Sequence, residues 1–224
     1  MKSNFFHLCF IIDKSGSMYQ SVNDVIGGFK KIVDDQKAIK EGTCAVSLFT
    51  FNDVVNKDYL GVNINEIKDL EYNPRGLTAM NDGIGTAIDE VGVWLSNMPE
   101  EERPEQNLIV IMTDGEENSS KEYSLSKVKE MIKHQESKYN WKFMYVGTDI
   151  TSKKDAENLG IGIKTYSTRR NLGNSYTIVS SAMSNYRMSS ESIATKLGKL
   201  SEELSAESDK LTEDTEKELG RKID

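Results

Sequence analysis

The residues best equipped for chemistry are Asp13, Ser15 and Ser17, at alternate positions in FFHLCFIIDKSGSM, residues 5–18. One carboxylate and two hydroxyls in a short loop make an all-oxygen donor set. Hard divalent cations take such sets and keep some water in their shell. Gly16, between the serines, lets the backbone turn tightly. The same residue types also dominate helix N-caps, and on this segment alone both readings stand. A second aspartate, Asp114, ends the apolar run NLIVIMT in the loop DGEEN. Between these loops, Gly76-Leu77-Thr78 leads into a helical pattern, where Thr78 is either an N-cap or a fifth oxygen donor.

Positioning these groups falls to a regular alternation of elements. Phe5 to Ile12 is apolar almost throughout, the pattern of a strand covered on both faces. Val22, Val25, Ile26, Phe29, Ile32 and Val33 recur at helical spacing over residues 21–39. TCAVSLFTF (43–51) reads as a strand, and after the Asn52-Asp53 turn residues 54–60 return as a shorter, polar, antiparallel edge strand. A short helical turn is predicted through Ile64 and Ile67. Next comes a helix with Ile84, Ala87, Ile88, Val91, Trp94 and Leu95 on one face.

The strand 107–113 precedes a helix over 123–139 that faces inward through Leu125, Val128, Met131 and Ile132. A strand at 141–146, a short helix at 153–159 and a strand at 161–166 follow. The closing helix, 171–188, has Leu172, Tyr176, Val179, Met183 and Tyr186 inward. The predicted fold class is α/β: a Rossmann-like, doubly wound, mostly parallel central sheet with one antiparallel edge strand and helices on both faces. Ligands of such sheets bind beyond the carboxyl ends of the strands, where strand order reverses.

Residues 1–188 are expected to form this domain and 189–224 a separate tail. The tail lacks aromatics, and Ile193, Leu197, Leu200, Leu204 and Leu211 fall on heptad spacing. It reads either as a helix that pairs with another helix or as a frayed acidic extension.

With 36 acidic and 28 basic side chains and a net charge of -8, the chain is expected to bind no nucleic acid and no anionic membrane. No apolar run approaches the roughly 20 residues that span a bilayer. MKSN is too short for a secretory leader, and the expected setting is cytoplasmic. Cys9 and Cys44 lie in apolar strand-like runs and are expected as free, buried thiols.

The segment DKSGSM resembles the D-x-S-x-S motif of the von Willebrand factor type A (VWA) domain. Thr78 in GLTAMNDGI and Asp114 in IVIMTDGEEN fall where that family places its remaining metal-coordinating residues. The resemblance covers roughly residues 5–188, and Lys14 fills a variable position. It implies a metal-ion-dependent adhesion site in which Ser15, Ser17 and Thr78 coordinate Mg2+ (or Mn2+). Asp13 and Asp114 would hold the ion directly or through waters. It also implies a protein partner that places a Glu or Asp carboxylate on an open coordination position, with Glu116, Glu117 and Asn118 at the rim. Glu116 and Glu117 read equally as solvated acids.

The alternative of another class is a metal-assisted phosphohydrolase. Position 15 is Ser rather than a second acid, which removes the nucleophile and acid pair such chemistry needs. No G-x-S-x-G elbow or phosphate-cradling glycine loop occurs. His7, within a strand, and His134, on a surface helix face, read as structural. The expectation is a non-enzymatic binding module with no catalytic residues.

Overall fold

Successive side chains of the first strand go to opposite faces of the sheet and into two separate cores. Phe6, Leu8, Phe10 and Ile12 join one buried cluster, and Cys9 and Ile11 join the other. The unbroken apolar run follows from that double burial, since neither face of the strand meets water. The computed structural model describes residues 1–114, 116–167 and 172–188, together with 202 and 206. The tail read at 189–224 otherwise lies outside the described residues.

Six strands form one sheet: β1 (Lys2–Asp13), β2 (Thr43–Phe51), β3 (Val55–Asn63), β4 (Pro104–Thr113), β5 (Lys142–Thr148) and β6 (Ile163–Ser167). Their order is β3-β2-β1-β4-β5-β6, with every pairing parallel except β2 with β3. The helices are α1 (Val22–Ala38), α2 (Met80–Ser96), α3 (Leu125–Tyr139), α4 (Asp149–Leu159) and α5 (Leu172–Met188). Val25, Phe29 and Ile32 of α1 and Tyr176, Val179 and Met183 of α5 cover one face of the sheet. Ile84, Ile88 and Val91 of α2, Val128 and Ile132 of α3, and Ala156 of α4 cover the other. This is the mostly parallel, doubly covered sheet with one antiparallel edge strand that the sequence predicts.

Several elements start earlier than expected, β1 at Lys2, β4 at Pro104 and α4 at Asp149, and two details of packing differ. β3 runs on to Asn63, where a tight backbone at Gly61 (φ +64°) lets the Trp94 ring lie against it. Leu125 is 39% exposed, and Tyr123 packs against the second core in its place. The Tyr123 ring lies so close to Gly85 of α2 that a Cβ there would fall 2.3 Å from it. Cys9 and Cys44 are free and buried, as expected. Among the described residues no helix is long and apolar enough to cross a membrane.

Sheet order reverses between β1 and β4: the chain leaves β1 for β2 on one side, and β4 enters on the other. Asp13 and Asp114 sit at the carboxyl ends of these two neighbouring strands. Their adjacency therefore follows from topology alone.

Candidate metal centre

Asp13, 0% exposed, is fixed on both oxygens. The Ser15 amide donates to its Oδ1 at 2.7 Å, and the Thr113 hydroxyl donates to its Oδ2 at 2.6 Å. The Tyr72 hydroxyl donates to its main-chain carbonyl. Burial pushes the Asp13 carboxyl up to about 6; the bonds from Thr113 and Ser15 pull the other way, and the neighbouring charge of Asp114 adds to the rise. The Ser15 and Ser17 hydroxyls are 3.0 Å apart, and the Ser17 hydroxyl donates to Asp114 Oδ1 at 2.6 Å. Asp13, Ser15, Ser17 and Asp114 thus form one continuous polar cluster.

Thr78 reaches this rim through its backbone. Its amide donates to Asn118 Oδ1 at 2.9 Å, and the Asn118 amide donates to its carbonyl at 3.0 Å, joining the loop before α2 to the loop after Asp114. On the other side, Gly16 donates to the Gly76 carbonyl at 3.0 Å and Arg75 to the Lys14 carbonyl at 2.8 Å. A Cβ on Gly16 would lie 3.3 Å from the Gly76 carbonyl oxygen, so a glycine suits this close approach.

The helix-cap readings do not hold. Ala79, not Thr78, is the N-cap of α2, and it makes no side-chain capping bond. Neither Ser15, which precedes the turn Gly16–Ser21, nor Ser21 before α1 makes one. The α2 amides are met instead by the loop after Asp114. Asn81 donates to Glu117 Oε2 at 2.8 Å, and Asp82 donates to the Ser120 hydroxyl at 3.0 Å.

Several organising residues had no signal in the sequence. Glu117 reads there as a rim acid or a solvated one. Its carboxylate also accepts the Ser119 and Ser120 amides and the Ser120 hydroxyl, so it braces the loop. Asp82, in the first turn of α2, accepts the amides of Lys121, Glu122 and Tyr123 at 2.8 to 2.9 Å. Thr113 and Tyr72 hold Asp13 from positions whose residue types point to no such task. Only their location after folding makes them part of the site.

The donor chemistry fits a hard divalent cation. Two buried carboxylates whose like charges repel each other stand in one cluster with two hydroxyls, and among the described residues no thiol or imidazole joins it. A cation there would offset the desolvation that raises Asp13.

An α/β sheet with an oxygen-lined cluster at the reversal of its strand order defines a class of fold that carries its ligand at one rim. The chain belongs to the von Willebrand factor type A domain family, whose model matches residues 7–164. No curated protein sequence matches it. Among solved structures it is similar to the proximal thread matrix protein 1 of the mussel byssus with a zinc-occupied MIDAS motif. That match has 20% identity and a TM-score of 0.57, and covers 80% of this chain and 46% of that one. The chain thus spans less than half the length of that matrix protein.

It is also similar to the vWF domain of the type V pili tip protein Mfa5 from Porphyromonas gingivalis, with 9% identity and a TM-score of 0.60 over 84% of this chain and 97% of that one. Manganese-loaded Plasmodium vivax TRAP protein matches with 16% identity and a TM-score of 0.53, over 78% and 72% of the two chains. At these identities the likeness is one of fold.

Proposed function

We propose that the chain is a metal-dependent protein-binding module in which Asp13, Ser15, Ser17, Thr78 and Asp114 hold Mg2+ or Mn2+. When bound, the ion supplies an open coordination position for a Glu or Asp carboxylate of a protein partner. The observation that carries this reading is the hydroxyl-carboxylate cluster Ser15–Ser17–Asp114, closed by hydrogen bonds of 3.0 and 2.6 Å beside the buried Asp13. The zinc and manganese named for the mussel and Plasmodium proteins support a divalent cation at this kind of site.

The chain's own residues do the positioning. Thr113 and the Ser15 amide hold Asp13 by both oxygens, which suits an anchor and leaves it poorly placed as an attacking nucleophile. The Asn118–Thr78 pair and Glu117 fix the approach of the two outer loops. That arrangement supports the reading of binding without turnover. We assign the module to the inside of the cell, where the free thiols of Cys9 and Cys44 are the usual state.

Titration calorimetry with Mg2+ and Mn2+ tests the ligand set. Thr78→Ala and Asp13→Ala are expected to keep the wild-type far-UV circular dichroism and lose at least tenfold in metal affinity. Unchanged affinity in Thr78→Ala would refute the assignment.

A further inference from the structure

Three loops meet at the carboxyl rim and are laced by main-chain bonds: 14–19 after β1, 52–54 after β2, and 75–79 before α2. Lys14 donates to the Phe51 carbonyl at 2.7 Å, Arg75 to the Lys14 carbonyl at 2.8 Å, and Ala79 to the Asn52 carbonyl at 2.8 Å. The Asn52 side-chain amide donates to the Arg75 carbonyl at 3.0 Å. Each loop carries one large apolar side chain into water: Tyr19 (75% exposed), Val54 (61%) and Leu77 (54%). Among the described residues these are three of eight such side chains, gathered on the edge that bears the candidate metal centre. Exposed apolar groups collected around a polar site mark a contact surface.

Charge on this rim is divided. Among the described residues neither Lys14 nor Arg75 is in an ion pair, although the whole chain carries a net charge of -8. The nearby Asp53 carboxylate accepts the Leu77 amide at 3.2 Å. Across the site, Glu117 is engaged by its own loop and by α2, and Glu116 is an exposed acid on the Asp114 side, with Glu122 exposed further along the same loop. The rim therefore carries Lys14, Arg75 and the apolar side chains toward loops 14–19 and 75–79, with Asp53 bonded into that side, and Glu116 and Glu122 toward the loop after β4.

Resting on the function proposed above, we propose that the partner is a protein segment of acidic-apolar character. Beside its metal-directed carboxylate it carries a second acidic residue, received by Lys14 and Arg75, and an apolar side chain, received by Tyr19, Val54 and Leu77. Glu116 repels the reversed orientation, so the polarity of the rim sets the direction of docking. Local cations on an acidic protein also steer such a segment to this edge rather than elsewhere.

A phage-displayed library of random 12-residue peptides, panned on the full chain in Mn2+ and eluted with EDTA, supplies the probe. Enriched peptides are expected to hold two acidic residues beside a large apolar one. Their affinity, read by fluorescence anisotropy, should fall at least tenfold in Tyr19→Ser/Leu77→Ser. It should fall as far in Lys14→Gln/Arg75→Gln, with Mn2+ affinity by calorimetry within twofold of wild type. Enriched peptides that are basic or wholly polar, or an empty EDTA eluate, would overturn the proposal. Equal binding to both double variants, with release by EDTA and loss in Thr78→Ala intact, would overturn this docking scheme and leave the metal-dependent module standing. Binding indifferent to EDTA and to Thr78→Ala would remove both.

Discussion

His7 occupies the centre of a buried polar relay. Gly61 donates its amide to the Ser47 hydroxyl at 3.0 Å, Ser47 Oγ lies 2.9 Å from His7 Nε2, and His7 Nδ1 lies 3.1 Å from Asn107 Oδ1. The Asn107 oxygen only accepts, so Nδ1 carries the hydrogen; burial without a counter-charge disfavours a proton on Nε2, which then accepts from the Ser47 hydroxyl. Burial lowers the ring's pKa from 6.5 to about 3. In the unfolded chain the ring binds a proton near its ordinary pKa. Below that pH the unfolded state therefore holds more protons and stability falls as pH falls, until the folded ring also titrates. Above the ordinary value the effect is flat. Urea melts at pH 7 and pH 5 should show the wild type losing about 2 kcal/mol more than His7→Gln across that interval, at about 1.4 kcal/mol per pK unit. Equal losses would mean that the ring is protonated in the fold. The structural role read for His7 in the sequence is this one, and a residue-type argument reaches it because a histidine inside an apolar strand must be satisfied locally.

At the scale of elements, helices are placed by glycines where rings cross them. A Cβ on Gly28 of α1 would fall 2.0 Å from the Tyr176 ring of α5, so Gly28→Ala must push the two helices apart. Overpacking of that kind costs about 1–3 kcal/mol, to be read as a lower urea midpoint with unchanged slope. Gly27, one residue away, has open space around its Cβ position, and Gly27→Ala should be neutral or stabilising. Glu117→Ala acts on the next level. Removing the acceptor shared by Asn81, Ser119 and Ser120 should loosen the loop that carries Asn118, and with it the Thr78 side of the site. Calorimetry is expected to show weaker metal binding, three- to tenfold, with the helix content kept. The elements themselves were legible because apolar spacing is a local property: β2 is bounded at Thr43 and Phe51 in sequence and in structure alike. The bracing by Glu117 and Asp82 was not, because the bonds that join the two loops, from Asn81 to Glu117 and from residues 121–123 to Asp82, span tens of residues, and charged residues near a helix start carry the same signature whether or not they are engaged.

For the whole molecule, a site proposed from Asp13, Ser15, Ser17, Thr78 and Asp114 is one that only the folded chain would have. The donor spacing Asp13, Ser15, Ser17 was readable because it lies within one loop. The meeting of that loop with Asp114 was readable only through the fold class, since it depends on β1 and β4 being neighbours at the reversal of strand order. An unfolded chain with those segments apart has no comparable affinity for a hard cation, so metal binding and stability are linked. At a free Mg2+ or Mn2+ concentration of 100 times Kd the linkage is about 2.7 kcal/mol, which for a domain of this size raises Tm by roughly 5–10 °C. The rise should grow with the logarithm of metal concentration, vanish with EDTA, and be absent in Thr78→Ala. Thermal melts of both chains across a metal series check it. A wild-type Tm independent of Mg2+ and Mn2+ would mean that the Asp13, Ser15, Ser17 and Asp114 cluster is held by the fold for some purpose other than a cation. The Ser17–Asp114 bond would then be an end in itself.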